Sequence, residues 1–583
     1  VGGFNRRDFL RASALAVGTI VVSSGLQGCL SSSSSSSDDE AVRGLAFEHG
    51  VASGDPLSDR VLLWTRITPT DGNNAEVQIG WEIATDSAFT DLVHSGTAST
   101  NAARDFTLKV DAQDLLPGTS YYFRFKVAGL TSPVGRCKTL PAGSIDQVRF
   151  AVLSCSNYPA GLFHVYAAAA AEAELDAVLH LGDYIYEYGN GGYATEDAAA
   201  LGRLLPDDNA SEILSLDDYR KRYALYRTDA DLQLLHASAP FIAVWDDHEV
   251  ANDTWRDGAE NHNDGEGDFT ERKLAALQAY FEWMPVRPAS PDDEETIYRR
   301  FDFGDLVSLH MLDTRIIGRD EQLDFADYIS ATGFDAARFT ADVSDTNRTL
   351  LGLSQLDWLQ TQLATSTATW QVLGQQILMG RMLLPAEMLT ALQNPGAVDM
   401  TAMLTELVTI KLRQQAGDPT LTAEDIARIE TVIPYNLDAW DGYAYEREVV
   451  LGAARALNQN LVVLAGDTHN AWANNLATLA GDAVGVEFAT ASVSSPGLES
   501  YLGLSEAQIP AAEQAITTLV DGLQYLNANQ RGYLLVTFTA EEARADWRFV
   551  STVKAAEYSI DNSRARSLRT LPGAGNRVLV PTA

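Results

Sequence analysis

Cysteine is almost absent from this chain: Cys29, Cys137 and Cys155 are the only three in 583 residues. A disulfide framework is therefore excluded as the source of stability. Positive charge is also short, with 42 Lys and Arg against 79 Asp and Glu and a formal net charge of −37. Such a field repels nucleic acid and anionic lipid surfaces at long range, while it favours solubility and bound cations. No nucleic-acid partner is expected. An anionic ligand needs a site with its own positive charge, and bound metal ions supply that. Long apolar runs are missing too. The uncharged stretch Ala12 to Leu26 is rich in Gly, Ser and Thr and shorter than the roughly 20 residues that span a bilayer. Core-forming material is plentiful, since 46% of the residues are hydrophobic. The chain is longer than one compact core usually supports, so two domains, or one with large additions, are expected.

The chain opens with Asn5-Arg6-Arg7-Asp8-Phe9-Leu10 ahead of that uncharged stretch. This reads as a twin-arginine signal over residues 1–28 and implies passage through the twin-arginine translocon, a route that carries folded, cofactor-loaded cargo. Leu26-Gln27-Gly28-Cys29 resembles a lipoprotein processing site, with Cys29 as the lipid-bearing N-terminus. Ordinary cleavage that discards Cys29 stays open, because Gln27 stands where a small residue is usual. Residues 29–43, with the tract Ser31 to Ser37, form a flexible linker. The expected location is periplasmic or cell-surface, with membrane contact only through the lipid. Without residues 1–28 the formal charge becomes −39.

Residues 44–140 read as a small all-β unit. Arg60 to Thr65 and Val77 to Glu82 alternate in polarity, and Leu116-Pro117-Gly118-Thr119 turns into the aromatic strand Tyr121 to Arg124. That is a fibronectin type III-like pattern. From about residue 146 short apolar runs recur, several stopping at polar residues. Phe150 to Leu153 ends in Ser154-Cys155, Ala177 to Leu181 in Gly182-Asp183, Phe241 to Trp245 in Asp246-Asp247-His248, and Leu461 to Ala465 in Gly466-Asp467-Thr468-His469. Buried strands that deliver polar groups at their C-terminal ends indicate a layered α/β domain over residues 146–560 with a site along one sheet edge. Val165 to Leu175 and Leu216 to Leu235 have helical composition, and residues 380–430, with Ala386 to Leu392 and Met400 to Gln415, read as a helical insertion. Tyr533 to Thr539 and Ala545 to Val550 read as paired strands, and residues 561–583 as a tail.

A hydrolytic metal pair needs a shared carboxylate, hard oxygen ligands on one side and softer N or S ligands on the other. Asp183 supplies a carboxylate, and Tyr186 a phenol three residues on, which shares its side if that turn is helical. Cys155 offers a thiolate that a metal's field keeps deprotonated. Asp467 and His469, two residues apart, can reach one side of an extended segment. Singly each has an ordinary reading: Cys155 as a small buried hydrophobe, Tyr186 as a packed aromatic, Asp246 to Glu249 and Asp467 as helix caps. Four strand ends converging on ligand types favour the joint reading.

These residues resemble the PhoD-type alkaline phosphatase and phosphodiesterase family, a relative of the purple acid phosphatases. The matching stretches are Gly50 to Pro56, Ser154-Cys155-Ser156, Gly182 to Glu187, Trp245 to Asn252, Asp313-Thr314-Arg315, Trp440 to Tyr443 and Gly466 to Trp472. The resemblance implies a layered metallophosphoesterase β-sandwich flanked by helices. It implies Fe(3+) held by Cys155, Asp183, Tyr186 and His469, and Ca(2+) near Asp183, Asp247 and Asp467, with Asp183 bridging. Asp247 stands where relatives carry Asn, so Asn252 is the alternative calcium ligand, and Gln375-Gln376 replaces an expected Asn-Gln pair. The implied reaction is hydrolysis of phosphate monoesters, diesters or both by attack of a metal-activated oxygen on phosphorus. His248 is the candidate for stabilising phosphoryl charge or protonating the leaving oxygen, and Arg315 a candidate phosphate contact.

Other signals have ordinary readings. His262 suits a rim, His180 and His310 suit a core, and the basic run Tyr219-Arg220-Lys221-Arg222-Tyr223 suits a salt-bridged helix face. Two functions compete: a phosphate-ester hydrolase, with phospholipid headgroups among its candidate esters, and a non-catalytic, calcium-stabilised surface lipoprotein. Completeness of the ligand set separates them, and Cys155, Asp183, Asp467 and His469 are all present.

Overall fold

A computed structural model describes residues 21–22, 44–290, 293, 295–330, 333–388 and 400–582. The twin-arginine motif, Cys29 and the serine tract lie outside the described residues, as does part of the 380–430 insertion.

Two large sheets face each other across one core. The first has eleven strands, with Val148–Leu153, Ala177–His180 and Phe241–Ala243 parallel at its centre and Gly532–Phe538 and Ala543–Val550 antiparallel beyond them. The second has seven strands, among them Val307–Met311, Trp370–Gly374 and Leu461–Ala465 in parallel. Every residue of Ala177–His180, Trp370–Gly374 and Leu461–Ala465 is buried. That is the expected state of parallel strands covered on both faces. Phe150, Val152 and Trp547 from one sheet share a cluster with Leu309, Val372 and Leu464 from the other.

Helices close the outer faces. Leu216–Arg227 starts at a Ser215–Asp218 capping box, which satisfies the first orphaned amides. Gly352–Thr365 and Ala444–Ala456 cover the second sheet through Leu359, Leu363, Val450 and Leu451, packed on Leu373 and Val463. The layered α/β architecture expected from the sequence is therefore present.

The N-terminal region is a sandwich, and its strand Ser120–Val127 alternates cleanly, burying Tyr121, Phe123, Phe125 and Val127. The Tyr121 hydroxyl accepts the Leu116 amide at 2.9 Å and pins the turn before the strand. One of its sheets, however, is no separate body. Val51–Gly54 pairs parallel with Phe241–Ala243, so three of its strands extend the first catalytic sheet. Val21–Val22 lies at that sheet's far edge, beside Val110 and Asp111.

One further expectation changes. Residues 561–583 do not form a loose tail: Ile560–Thr570 pairs along Ala543–Val550, and Val580–Pro581 pairs with it in turn. The insertion is closed at its base by Leu383–Pro385 pairing with Val432–Pro434, with helices Met400–Gln415 and Ala423–Glu430 between.

Candidate metal centre

Four side chains at the strand ends sit on left-handed backbone: Cys155 (φ 63°), Asp183 (φ 54°), Asp467 (φ 62°) and His469 (φ 62°). A non-glycine residue there costs about 1–3 kcal/mol and persists only where its surroundings enforce it. The loops enforce it by binding one another. The Cys155 amide donates to the Gly182 carbonyl at 3.2 Å and the Ser156 amide to the Asp183 carbonyl at 2.8 Å.

This arrangement gathers the ligand candidates. One donor atom each from Cys155, Asp183 and His469 lies within 4.8 Å of the others; the same holds for Asp183, Asp247 and His248, and for Asp246, Asp247 and Asp467. Asp183 belongs to two of these groups. The Tyr186 hydroxyl lies 2.9 Å from Asp183 Oδ2 and 3.1 Å from His469 Nε2. His469 Nδ1 donates to the Pro496 carbonyl at 2.7 Å, which leaves Nε2 as the free ligand atom. Asp183 Oδ1 is buried with no hydrogen-bond partner among the described residues. A buried carboxylate with one oxygen orphaned and the other beside phenol and imidazole, in a group that includes a thiol, fits a bound cation.

The charges differ across the site. Burial and the Asp183 carboxylate push the Cys155 thiol well up, and the same causes push up the Tyr186 phenol. Ser495 Oγ donates to the Tyr186 oxygen at 2.7 Å, the one contact there that favours phenolate. Burial raises the Asp246 and Asp467 carboxyls well above their usual range despite Arg315. For Asp247 burial is outweighed by Arg315 and His248, and its carboxyl is brought down to about 2. Burial opposes the His248 imidazolium as well, but Glu187, Asp247 and Asp183 outweigh it and hold it well above the ordinary value.

Two assigned residues stand elsewhere than expected. Arg315 is fully buried and donates to Asp246 (2.5 Å), Asp438 (2.7 Å) and Asp467 (2.8 Å). Its guanidinium faces the aspartates, and three of its five N–H groups go to their carboxylates, so in this arrangement it acts as their counter-ion. Asn252 turns its side-chain amide to Glu260 at 3.1 Å, while its backbone amide donates to Glu187 at 2.8 Å.

Gln376 is buried, accepting from Thr314 Oγ1 at 2.6 Å, and Gln375 accepts from Trp440 Nε1 at 2.9 Å. Both support the loops from within. His180 and His310 are core residues bonded to Tyr166 and Gln371, and His262 lies beside Arg272. The basic helix face is only partly salt-bridged. Arg220 pairs with Glu282 and Lys221 with Asp217, but Arg222 is buried and holds the backbone carbonyls of Tyr186 and Tyr188.

Sequence reasoning left several groups without a role. Glu187 binds His248 Nδ1 at 2.7 Å, fixing which ring nitrogen faces the site. Glu187, Asp246 and Glu249 lie inside the quoted stretches and were legible as polar neighbours. Asp438 and Ser495 sit in loops without a distinguishing pattern. A cavity of about 580 Å³ lined by Arg256, Gly318, Arg348, Leu353 and Tyr445 includes none of the ligand candidates.

Two facing mixed sheets with an acidic, thiol- and imidazole-bearing edge define a metal-dependent phosphoric ester hydrolase. The model of the PhoD-like phosphatase family matches residues 150–547, and that of its N-terminal domain residues 32–141. Alkaline phosphatase D of Bacillus subtilis (strain 168) is 36% identical over 524 residues, covering 87% of this chain and 78% of that protein. A solved structure of PhoD superposes with a TM-score of 0.73 at 32% identity, covering 92% of each chain. The chain belongs to the PhoD-like phosphatase family.

Proposed function

We propose that the protein is an exported alkaline phosphatase that hydrolyses phosphate monoesters, diesters or both. In this reading Cys155, Asp183, Tyr186 and His469 hold Fe(3+), and Asp183, Asp247 and Asp467 hold Ca(2+), with Asp183 shared. The observation that carries it is Asp183, common to two donor groups and left with an unpartnered buried oxygen.

Bound cations supply Lewis acidity and a water acidified toward neutral pH. The chain's residues do the rest. Asp183, on its left-handed backbone, accepts the Tyr186 hydroxyl on Oδ2 and keeps Oδ1 buried and unspent by any hydrogen bond among the described residues. Glu187 holds His248 through Nδ1, so Nε2 is free to protonate the leaving-group oxygen or to stabilise phosphoryl charge. Arg315 keeps Asp246 and Asp467 at fixed separation. Asn252 remains the alternative to Asp247 for calcium. Export rests on the twin-arginine motif, and a lipid at Cys29 on the box before it. No helix among the described residues is long and apolar enough to cross a membrane. The non-catalytic lipoprotein is not favoured, since no ligand position is lost.

Elemental analysis of protein exported natively, without added metal or chelator, tests the assignment. About one iron with calcium per chain is expected from this donor set. Calcium alone, or no stoichiometric metal, would overturn the ligand assignments.

A further inference from the structure

Glu249 has no part in the scheme above, yet it is fully buried and meets no basic side chain among the described residues. Its oxygens accept four backbone amides. Oε1 takes Tyr184 (2.5 Å) and Ile185 (3.3 Å), and Oε2 takes Asp183 (3.0 Å) and Asp246 (2.6 Å). These donors come from two loops, one ending the strand Ala177–His180 and the other the strand Phe241–Ala243. Each loop carries a carboxylate of the candidate centre, Asp183 and Asp247.

A second observation shows how closely the loops are drawn together. Gly182 has φ +100°, and a β-carbon built on it would lie 2.3 Å from Asp246 Cβ and 2.5 Å from the Asp246 amide nitrogen. Only glycine fits that approach. Without Glu249, the four amides would be left buried and unpaired where the loops touch. A glutamine cannot replace it, because it offers one acceptor oxygen and would turn an NH2 group toward N–H donors. A carboxyl buried without a counter-ion is costly: burial and the Asp183 carboxylate push Glu249 up to about 8, and the amides it collects work against that rise.

We infer that Glu249 is a positioning residue for the hydrolysis, a clamp that sets the separation of the Asp183 and Asp247 carboxylates. The inference rests on the metal-centre reading above. It acts through backbone, so side-chain chemistry at the centre is untouched by its removal while the spacing is lost.

The test is Glu249→Gln, with Gly182→Ala as a variant that forces the same loops apart from the other side. Metal content, kcat and KM of the purified holoenzyme are measured, together with Tm in chelator. In both variants kcat should fall about 10- to 100-fold, as for residues that orient metal ligands, with KM within about threefold. Metal content should fall below half of wild type while Tm in chelator stays within roughly 5 °C. Wild-type kcat and metal content in Glu249→Gln would overturn the inference. If Glu249→Gln does not fold, hydrogen exchange of the wild-type holoenzyme decides: the Asp183, Tyr184, Ile185 and Asp246 amides should be among the slowest, and fast exchange overturns the clamp. A wild-type enzyme without metal would sink the metal-centre reading instead, and the kcat and exchange results would still judge Glu249.

Discussion

The two ends of the site handle charge in opposite ways. At the soft end, Cys155, Tyr186 and His469 bond to no arginine or lysine among the described residues: their partners include Ser154, Ser495, Pro496, Tyr193 and Asp183, with the His248 ring packed on Tyr186 at 4.2 Å. Thiol and phenol there are pushed up by burial and keep their protons. At the acid end, Asp246, Asp438 and Asp467 surround one buried arginine. The soft end is neutral until a cation enters and must release protons to bind it. The acid end is held in register by Arg315 beforehand, although burial raises the Asp246 and Asp467 carboxyls there too. One end is built by coordination and the other by ion pairing, and Asp183 lies between them, in one donor group with Cys155 and His469 and in another with Asp247 and His248.

Replacing Asp183 removes the carboxylate common to two donor groups and has the largest expected effect. Asp183→Asn should lower kcat about 1,000-fold or more, the scale of losing preorganised charge at a transition state, while circular dichroism stays that of wild type. Turnover within tenfold of wild type would remove the shared-carboxylate role. Arg315→Met separates the ends, because it strands the aspartates alone. Breaking a buried ion pair this way costs about 3–5 kcal/mol, read by urea unfolding in chelator, and added calcium should recover part of it. A stability unchanged from wild type would mean the aspartates are protonated without Arg315.

The soft end makes its own forecast. Binding of a ferric ion by the metal-free protein should release about two protons, from the Cys155 thiol and the Tyr186 phenol. Calorimetry in buffers of different ionisation enthalpy counts them. Tyr186→Phe should release about one and lose any visible phenolate-to-iron band. Equal counts in the two proteins would take Tyr186 out of the ligand set.

Sequence and structure part company along the same lines. Cys155, Asp183, Asp467 and His469 were legible because each follows a short apolar run, and such runs end at a sheet edge. What a strand end does not disclose is direction. Arg315 follows Val307–Met311 in the same way, yet it turns inward to the aspartates. Glu249 was legible as a polar residue but its role was not, because its partners are amides, which leave no trace in side-chain pattern. The strand Ile560–Thr570 was read as a tail because most of its residues face solvent and its apolar alternation is weak. The joining of the N-terminal sandwich to the catalytic sheet depends on one pairing, Gly54 with Phe241, between segments far apart in sequence.

The smallest effect contrasts the site with the core behind it. His49, His180 and His310 lie outside the ligand set, and burial brings them down to about 3, 3 and 4. Each is neutral when folded but takes a proton below its unfolded value of about 6.5. The unfolded chain then binds more protons than the native one, so stability is full above pH 6.5 and falls as pH drops toward 4. Each histidine contributes up to about 1.4 kcal/mol per pH unit in that window. Metal loading should leave the histidines' share of this slope unchanged, because none of the three touches the centre, while the protons released on binding add a pH dependence of their own to the loaded protein. Unfolding of metal-free and metal-loaded protein between pH 6.5 and 4.5 gives the comparison, and His310→Gln should flatten both curves equally. A loss confined to the loaded protein would place the acid sensitivity in the ligands instead.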